Sequence, residues 1–153
     1  MHNTNKRSSL KYIASGLIAI SYLWLTKSFA AWPEKLFNTK SSSSATELLT
    51  GEKAVNASDK INIKAPEIAE NGAVVPVSVE IDLPDIKTIS ILVENNPSPL
   101  TSVFNLSDQL LPYVSTRVKM AETSKIVALV ENHHGEFFSA ARNIKVTIGG
   151  CGG

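Results

Sequence analysis

The sequence predicts an all-β protein: an immunoglobulin-like antiparallel β-sandwich with short N-terminal helices and a flexible glycine-rich C-terminal arm. Three observations carry this. From residue 60 onward apolar side chains recur with a period of two, in segments spaced by about ten residues. Gly, Pro, Asn and Asp fill the gaps between those segments, where chain reversals need them. The chain then reaches Ile148-Gly149-Gly150-Cys151-Gly152-Gly153, in which four of the eight glycines surround the one cysteine.

Residues 1–30 read as a secretory signal peptide. Lys6, Arg7 and Lys11 stand without an acidic neighbour, and residues 12–25 form an apolar stretch too short to span a bilayer comfortably. Ser28-Phe29-Ala30 offers the small residues a signal peptidase reads, so cleavage is expected after Ala30. No cysteine lies near that point, which excludes a lipoprotein, and no membrane association is expected after cleavage. Asn5-Lys6-Arg7-Ser8-Ser9-Leu10-Lys11 is similar to a twin-arginine export motif, with Lys6 for the first arginine and Ser9 for the usual phenylalanine. The general secretory and twin-arginine routes both stay open.

Cleavage removes four basic residues and leaves eleven Lys and Arg against fourteen Asp and Glu, a net charge of −3. Nucleic acid is therefore not an expected partner. A single cysteine in an oxidising compartment cannot form an internal disulfide. It must be free, linked to another molecule, or chemically capped.

The mature chain fits one domain, with residues 31–59 as a helical segment packed on the sandwich, residues 60–148 as the sandwich and residues 149–153 as the arm. Trp32-Pro33-Glu34-Lys35-Leu36-Phe37 starts a short helix with Pro33 at its first position. The serines at 41–44 form a polar break that joins it to a second helix over residues 45–53. There Leu48 and Leu49 share a face with Ala45, and Gly51 stands near the end.

Strands follow on Ile61 and Ile63, on Val75, Val77, Val79, Ile81 and Leu83, on Ile89, Ile91 and Val93, and around Val103. Residues 113–120, 125–131, 137–140 and 143–148 complete the series. The last strand, with Ile144, Val146 and Ile148, runs into the glycine tail, so the sheet is expected to hold the root of the arm rigid.

Cys151 is the only sulfur nucleophile, and its surroundings are unlike a packing cysteine, which sits in a periodic apolar run. Gly149, Gly150, Gly152 and Gly153 put the thiol on a thin, freely rotating thread that can enter a narrow channel. Three extended residues beyond Ile148 reach about 10 Å. The tail has no Lys, Arg or His to lower the thiol pKa, so only a few per cent would ionise at neutral pH. Activation is expected to come from another protein. No oxyanion hole, base, phosphate loop, nucleophile elbow or paired-carboxylate spacing is visible, so Cys151 reads as a carried group and the protein as no enzyme, without a catalytic residue of its own. His133-His134 invites a metal, yet adjacent strand residues point to opposite faces and no third ligand is in view. A hairpin loop over Asn132-His133-His134-Gly135 is the expectation, with no metal. Asp82, Asp85, Glu67 and Glu70 read as a solvated surface.

Val146-Thr147-Ile148-Gly149-Gly150-Cys151-Gly152-Gly153, Ala65-Pro66-Glu67-Ile68-Ala69-Glu70-Asn71-Gly72-Ala73-Val74-Val75-Pro76-Val77, Asn96-Pro97-Ser98-Pro99 and Ser115-Thr116-Arg117-Val118-Lys119 together carry a resemblance to the SoxY family, sulfur-carrier subunits of the periplasmic thiosulfate-oxidising Sox system. It implies a periplasmic heterodimer with a SoxZ-like subunit and a swinging arm that carries sulfur intermediates on Cys151. It implies also a haem-containing enzyme that couples thiosulfate to the thiol, giving a cysteine S-thiosulfonate, and a dimanganese hydrolase that releases sulfate. In some organisms a sulfane dehydrogenase containing molybdenum and haem oxidises the remaining sulfur. The carrier itself is expected to hold no cofactor beyond that covalently bound sulfur.

The residues leave other readings open. One is an exported binding module whose terminal cysteine cross-links to a partner. Another is a cytoplasmic carrier using Gly-Gly as a thiocarboxylate, which would leave Cys151 without a role. The third, a self-contained thiol enzyme, lacks a second catalytic group near the tail.

Overall fold

The computed structural model describes residues 34–107 and 109–148. The predicted signal peptide, residues 31–33 and the arm lie outside the described residues.

Two helices open the described chain. Helix α1, Glu34–Phe37, closes with the Asn38 amide donating to Glu34 O at 2.9 Å. Helix α2 spans Ser42–Thr50, which gives the serine run a role that the sequence reading did not. Ser41 is its N-cap: the backbone there is extended and the hydroxyl accepts from the Ser44 amide at 3.1 Å. Serine favours this position because its side chain satisfies one of the orphan amides of the first turn. The polar break predicted over 41–44 is thus a cap and a first turn. At the other end Gly51 takes φ of 60° as the C-cap and its amide returns to Glu47 O, so the helix stops before Lys53. Ser41→Ala is expected to cost about 1 kcal/mol, read as a lower midpoint in urea denaturation with an unchanged slope.

Nine strands follow. They are β1 Val55–Ala57, β2 Ile61–Lys64, β3 Ile68–Ala69, β4 Val75–Ile81, β5 Ile86–Val93, β6 Leu100–Asn105, β7 Tyr113–Val118, β8 Ser124–Asn132 and β9 Phe137–Val146. One sheet runs β1-β9-β8-β5-β6, with β3 also paired to β9, and the other runs β2-β4-β7. The antiparallel sandwich predicted from the periodicity is present. To it the structure adds two short parallel pairings, which place β1 beside residues 137–139 and β3 beside residues 145–146 of β9.

Three differences from the sequence reading have physical causes. The sheet starts at Val55, ahead of residue 60, because β1 gains its pairing from β9 and has no alternation of its own to reveal it. Residues 137–140 and 143–148, read as two strands, form one ten-residue strand that ends at Val146. Arg142 hides this continuity: it breaks the apolar alternation, yet its side chain lies half-buried against β2, with Nη1 donating to Ile63 O at 3.4 Å. Leu48 is exposed, and only Leu49 joins Ala45 against the sheet.

The main core lies between the sheets. Ile61, Ile63, Val75, Val77, Val79 and Ile81 face Ile89, Ile91, Val93, Ile126, Ala128, Val130 and Ile144. The register pairs Ile61 with Ile81 and Ile63 with Val79, so one period-two pattern feeds one layer. A second, smaller core covers the outer face of the larger sheet, where Leu92, Leu100, Leu129 and Phe137 meet Ala45 of α2. Leu36, Phe37 and Leu49 pack against it. This is why Ser90 and Leu92 are buried alongside Ile89 and Ile91: β5 is covered on both faces. Burying a leucine fully stabilises by roughly 1.5–3 kcal/mol, so the helices fasten to the sandwich chiefly through this cluster.

Candidate functional site

Cys151, Gly149, Gly150, Gly152 and Gly153, the predicted attachment residue and arm, lie outside the described residues. What the structure places is the root from which they continue. Strand β9 brings Lys145 and Val146 into parallel register with Ile68 and Ala69 of β3. Backbone bonds continue the ladder past the strand end. The Lys145 amide donates to Glu67 O at 2.9 Å, the Thr147 amide to Ala69 O at 3.1 Å, and the Gly72 amide to Ile148 O at 2.8 Å. The Thr147 hydroxyl donates to Glu70 O at 3.0 Å. On the opposite side Thr123 Oγ1 accepts from the Val146 amide at 3.0 Å and lies 3.4 Å from Val146 O. Residues 145–148 are therefore braced on two sides up to the last residue before the glycines.

The brace is itself held. The Met120 amide donates to Gly72 O at 2.7 Å. Asn96 secures the loop behind it, its Nδ2 donating to Lys119 O at 2.6 Å and its Oδ1 accepting from the Ala121 amide at 2.9 Å. Asn95 adds a donation from its side chain to Thr123 O at 3.2 Å. Asn71 Oδ1 accepts from the Ala73 amide at 2.8 Å and turns the chain into β4. Ala65–Val77, the Asn96 turn and the end of the Ser115–Lys119 stretch, distant in sequence, thus converge on the root of the arm. Sequence periodicity missed this bracing segment, since β3 has two residues and no pattern. Its one local signal was the Asn71-Gly72 pair, which marks a turn.

The other candidate residues sit elsewhere. His133 and His134 occupy the predicted hairpin loop between β8 and β9, at the far end of β9 from the root. A ten-residue strand is about 30 Å long. Gly135 takes φ of 73° there, Asn132 Oδ1 accepts from the amides of His134 and Glu136, and the His133 amide donates to Asp85 O at 2.8 Å. His134 Nε2 stands 3.6 Å from Asp85 Oδ2, an exposed pair of little energetic weight. Among the described residues no group of three or more His, Cys, Asp or Glu could hold a metal ion. Nor is any of their helices long and apolar enough to cross a membrane.

Beside the hairpin a hollow of about 470 Å³ is lined by Leu83, Pro84, Asp85, Ile86, Leu110 and His133, remote from the root. Hydrogen bonds to Ser78 and then Ser115 pull the Tyr113 phenol below its ordinary pKa, and Glu80 raises that of Lys64. These groups lie together on the solvent-facing side of the smaller sheet.

Fold and root together define a class: a small β-sandwich whose last strand, braced on both sides, delivers a cysteine-bearing extension. The chain belongs to the SoxY family. A family model described as sulfur oxidation protein SoxY matches residues 45–151, a span that starts in α2 and reaches the cysteine. The solved sulfur carrier protein SoxY from Chlorobium limicola f thiosulfatophilum is similar at 40% identity, covering 69% of this chain and 96% of that one with a TM-score of 0.63. A superoxide reductase (neelaredoxin) from Ignicoccus hospitalis is similar at 17% identity, covering 60% of this chain and 94% of that one with a TM-score of 0.54, a likeness of fold alone. No curated protein matches the sequence.

Proposed function

We propose that this protein is a periplasmic sulfur carrier that holds its cargo covalently on Cys151 during thiosulfate oxidation, as a heterodimer with a SoxZ-like subunit. The observation that carries the reading is the match to the SoxY family through residue 151, where the one cysteine of the chain follows a braced root and two glycines.

The chemistry follows from a thiol that has no activating group in its own tail. A haem-containing partner removes two electrons as the Cys151 thiol joins the outer sulfur of thiosulfate. An S–S bond forms, one proton leaves the thiol, and the product is the cysteine S-thiosulfonate. A dimanganese hydrolase then adds water across the S–S bond to the sulfonate, releasing sulfate and leaving a persulfide on Cys151. Where a sulfane dehydrogenase is present, that outer sulfur is oxidised in turn. In each step this chain's part is to deliver one sulfur atom on a narrow thread into differently shaped sites.

The test is the intact mass of the mature protein from cells grown on thiosulfate, before and after a thiol reductant. Added thiosulfate or sulfur that the reductant removes is the expected result, with the peptide mass fixing the cleavage site after Ala30. An unmodified monomer under every condition rejects the carrier, and a dominant disulfide-linked dimer favours the binding-module reading. Threading makes a further demand. Gly150→Val adds a branched Cβ beside the thiol and is expected to slow enzyme-dependent loading by at least about tenfold while the thermal midpoint stays put. Loading at the wild-type rate would remove the need for a thin arm.

A further inference from the structure

Asn71-Gly72 is the one Asn-Gly pair in the chain. Its two halves differ in access, Asn71 being exposed and Gly72 buried. The glycine is held at both of its backbone groups: its amide donates to Ile148 O at 2.8 Å and its carbonyl accepts from the Met120 amide at 2.7 Å. The asparagine is held by its side chain, with Oδ1 accepting from the Ala73 amide at 2.8 Å. On the other side of the pair, the Thr147 hydroxyl donates to Glu70 O at 3.0 Å.

An asparagine followed by glycine carries a latent reaction, because no Cβ shields the next amide nitrogen from the side-chain carbonyl. That nitrogen attacks Cγ and gives its proton to water or hydroxide. A C–N bond forms, the Cγ–Nδ2 bond breaks, and ammonia leaves behind a five-membered succinimide. Water then opens the ring at one carbonyl to give aspartate, or at the other to give an isoaspartyl linkage, with no oxidant or reductant involved. The closed root opposes the first step: the Gly72 N–H is committed to Ile148 O, and the Asn71 side chain is tied to Ala73. We propose that Asn71 is a deamidation site gated by the root of the arm. Opening of the bond between Gly72 and Ile148 frees the nitrogen, and an isoaspartyl linkage at 71 then prevents closure. That linkage lengthens the main chain by one methylene ahead of Gly72, so the glycine no longer meets Ile148 O and the Met120 amide in register. The bonds from Lys145 to Glu67 O and from Thr147 to Ala69 O lie upstream and are kept. The modification therefore loosens the last residue before the glycines, leaves the sandwich intact, and does so whatever Cys151 carries.

The experiment incubates the reduced mature protein at mildly alkaline pH and follows deamidation by anion exchange, which reads the added negative charge, and by peptide mass, which places it. In urea above the unfolding midpoint, Asn71 is expected to deamidate at least about a hundredfold faster than in the native protein. Thr147→Val keeps a branched side chain but removes the hydroxyl bond to Glu70 O, and is expected to raise the native rate about fivefold. Asn71→Ser keeps an oxygen for the Ala73 amide and forms no succinimide, so the modification at 71 disappears while the thermal midpoint stays put. In the isolated isoaspartyl product, hydrogen exchange at Gly72 and Met120 is expected to rise at least about tenfold while Lys145 keeps the parental rate. No deamidation at Asn71 in urea overturns the site. Equal rates in native and unfolded protein, or a native rate that Thr147→Val leaves unchanged, overturns the gate. Parental exchange at Gly72 and Met120 in the isoaspartyl product overturns its effect on the root.

Discussion

Cys151→Ala is expected to stay at its bare peptide mass under every growth condition and to bring thiosulfate-dependent electron release to background in a reconstituted system. The argument is one of atoms. Both proposed products, the S-thiosulfonate and the persulfide, need a sulfur already on the chain, and the sequence offers one thiol. Neither methionine can replace it, because a thioether has no proton to lose and forms no disulfide-type bond. Cys151→Ser is expected to fail as completely, since a hydroxyl gives no S–S bond to make or break and is a weak nucleophile without a base beside it. Stability should change by less than about 0.5 kcal/mol, so lost carrying cannot be assigned to unfolding. His133→Ala and His134→Ala are the informative companions. They alter a hairpin at the opposite end of β9 from the root, and loading should proceed as in the parent protein. Residual loading of the alanine variant would move the attachment site elsewhere, and loss of loading in a histidine variant would make the far hairpin part of the site.

Legibility in the sequence tracked the length of each pattern. Strands β4, β5 and β8 carry several alternating apolar residues each, and the two inner faces they line were readable in the sequence. Strands β1 and β3 could not be read. Two or three residues hold no period, and each owes its conformation to hydrogen bonds with β9, more than seventy residues away in sequence. The serine run failed for a different reason. Serine competes for backbone groups in loops and at helix starts alike, and only the following Ala45 and Leu49, packed on the sheet, decide for the helix. As for the site, the chemistry proposed for it was readable in one residue type and its glycine neighbours. Its support was not. The bracing of residues 145–148 by Ala69, Glu70, Gly72 and Thr123 is made of backbone carbonyls, amides and two hydroxyls, groups with which side-chain patterning has no connection.

The strand that delivers the arm is also a wall of the main core, and Ile144→Ala separates these two duties. Ile144 has no exposed surface and lies between the sheets, two residues before β9 ends. Truncation removes three carbons from a packed layer and leaves a space its stiff, β-branched neighbours fill only in part, for a loss of about 3 kcal/mol. In a domain of this size that lowers the thermal midpoint by roughly 10 °C. Equilibrium urea denaturation gives the first number directly, and a loss under 1 kcal/mol would mean that the end of β9 collapses onto the gap. Hydrogen exchange locates the damage. The amides of Lys145 and Thr147 donate into the β3 segment, so they should exchange faster relative to Ile91 in the middle of the sandwich. The glycines beyond need no rigid root to thread a channel. At a temperature where the variant remains folded, the chemical reactivity of Cys151 is therefore expected to match the wild type. A change in the alkylation rate of Cys151 alongside frayed root amides would show that the bracing also governs access to the thiol.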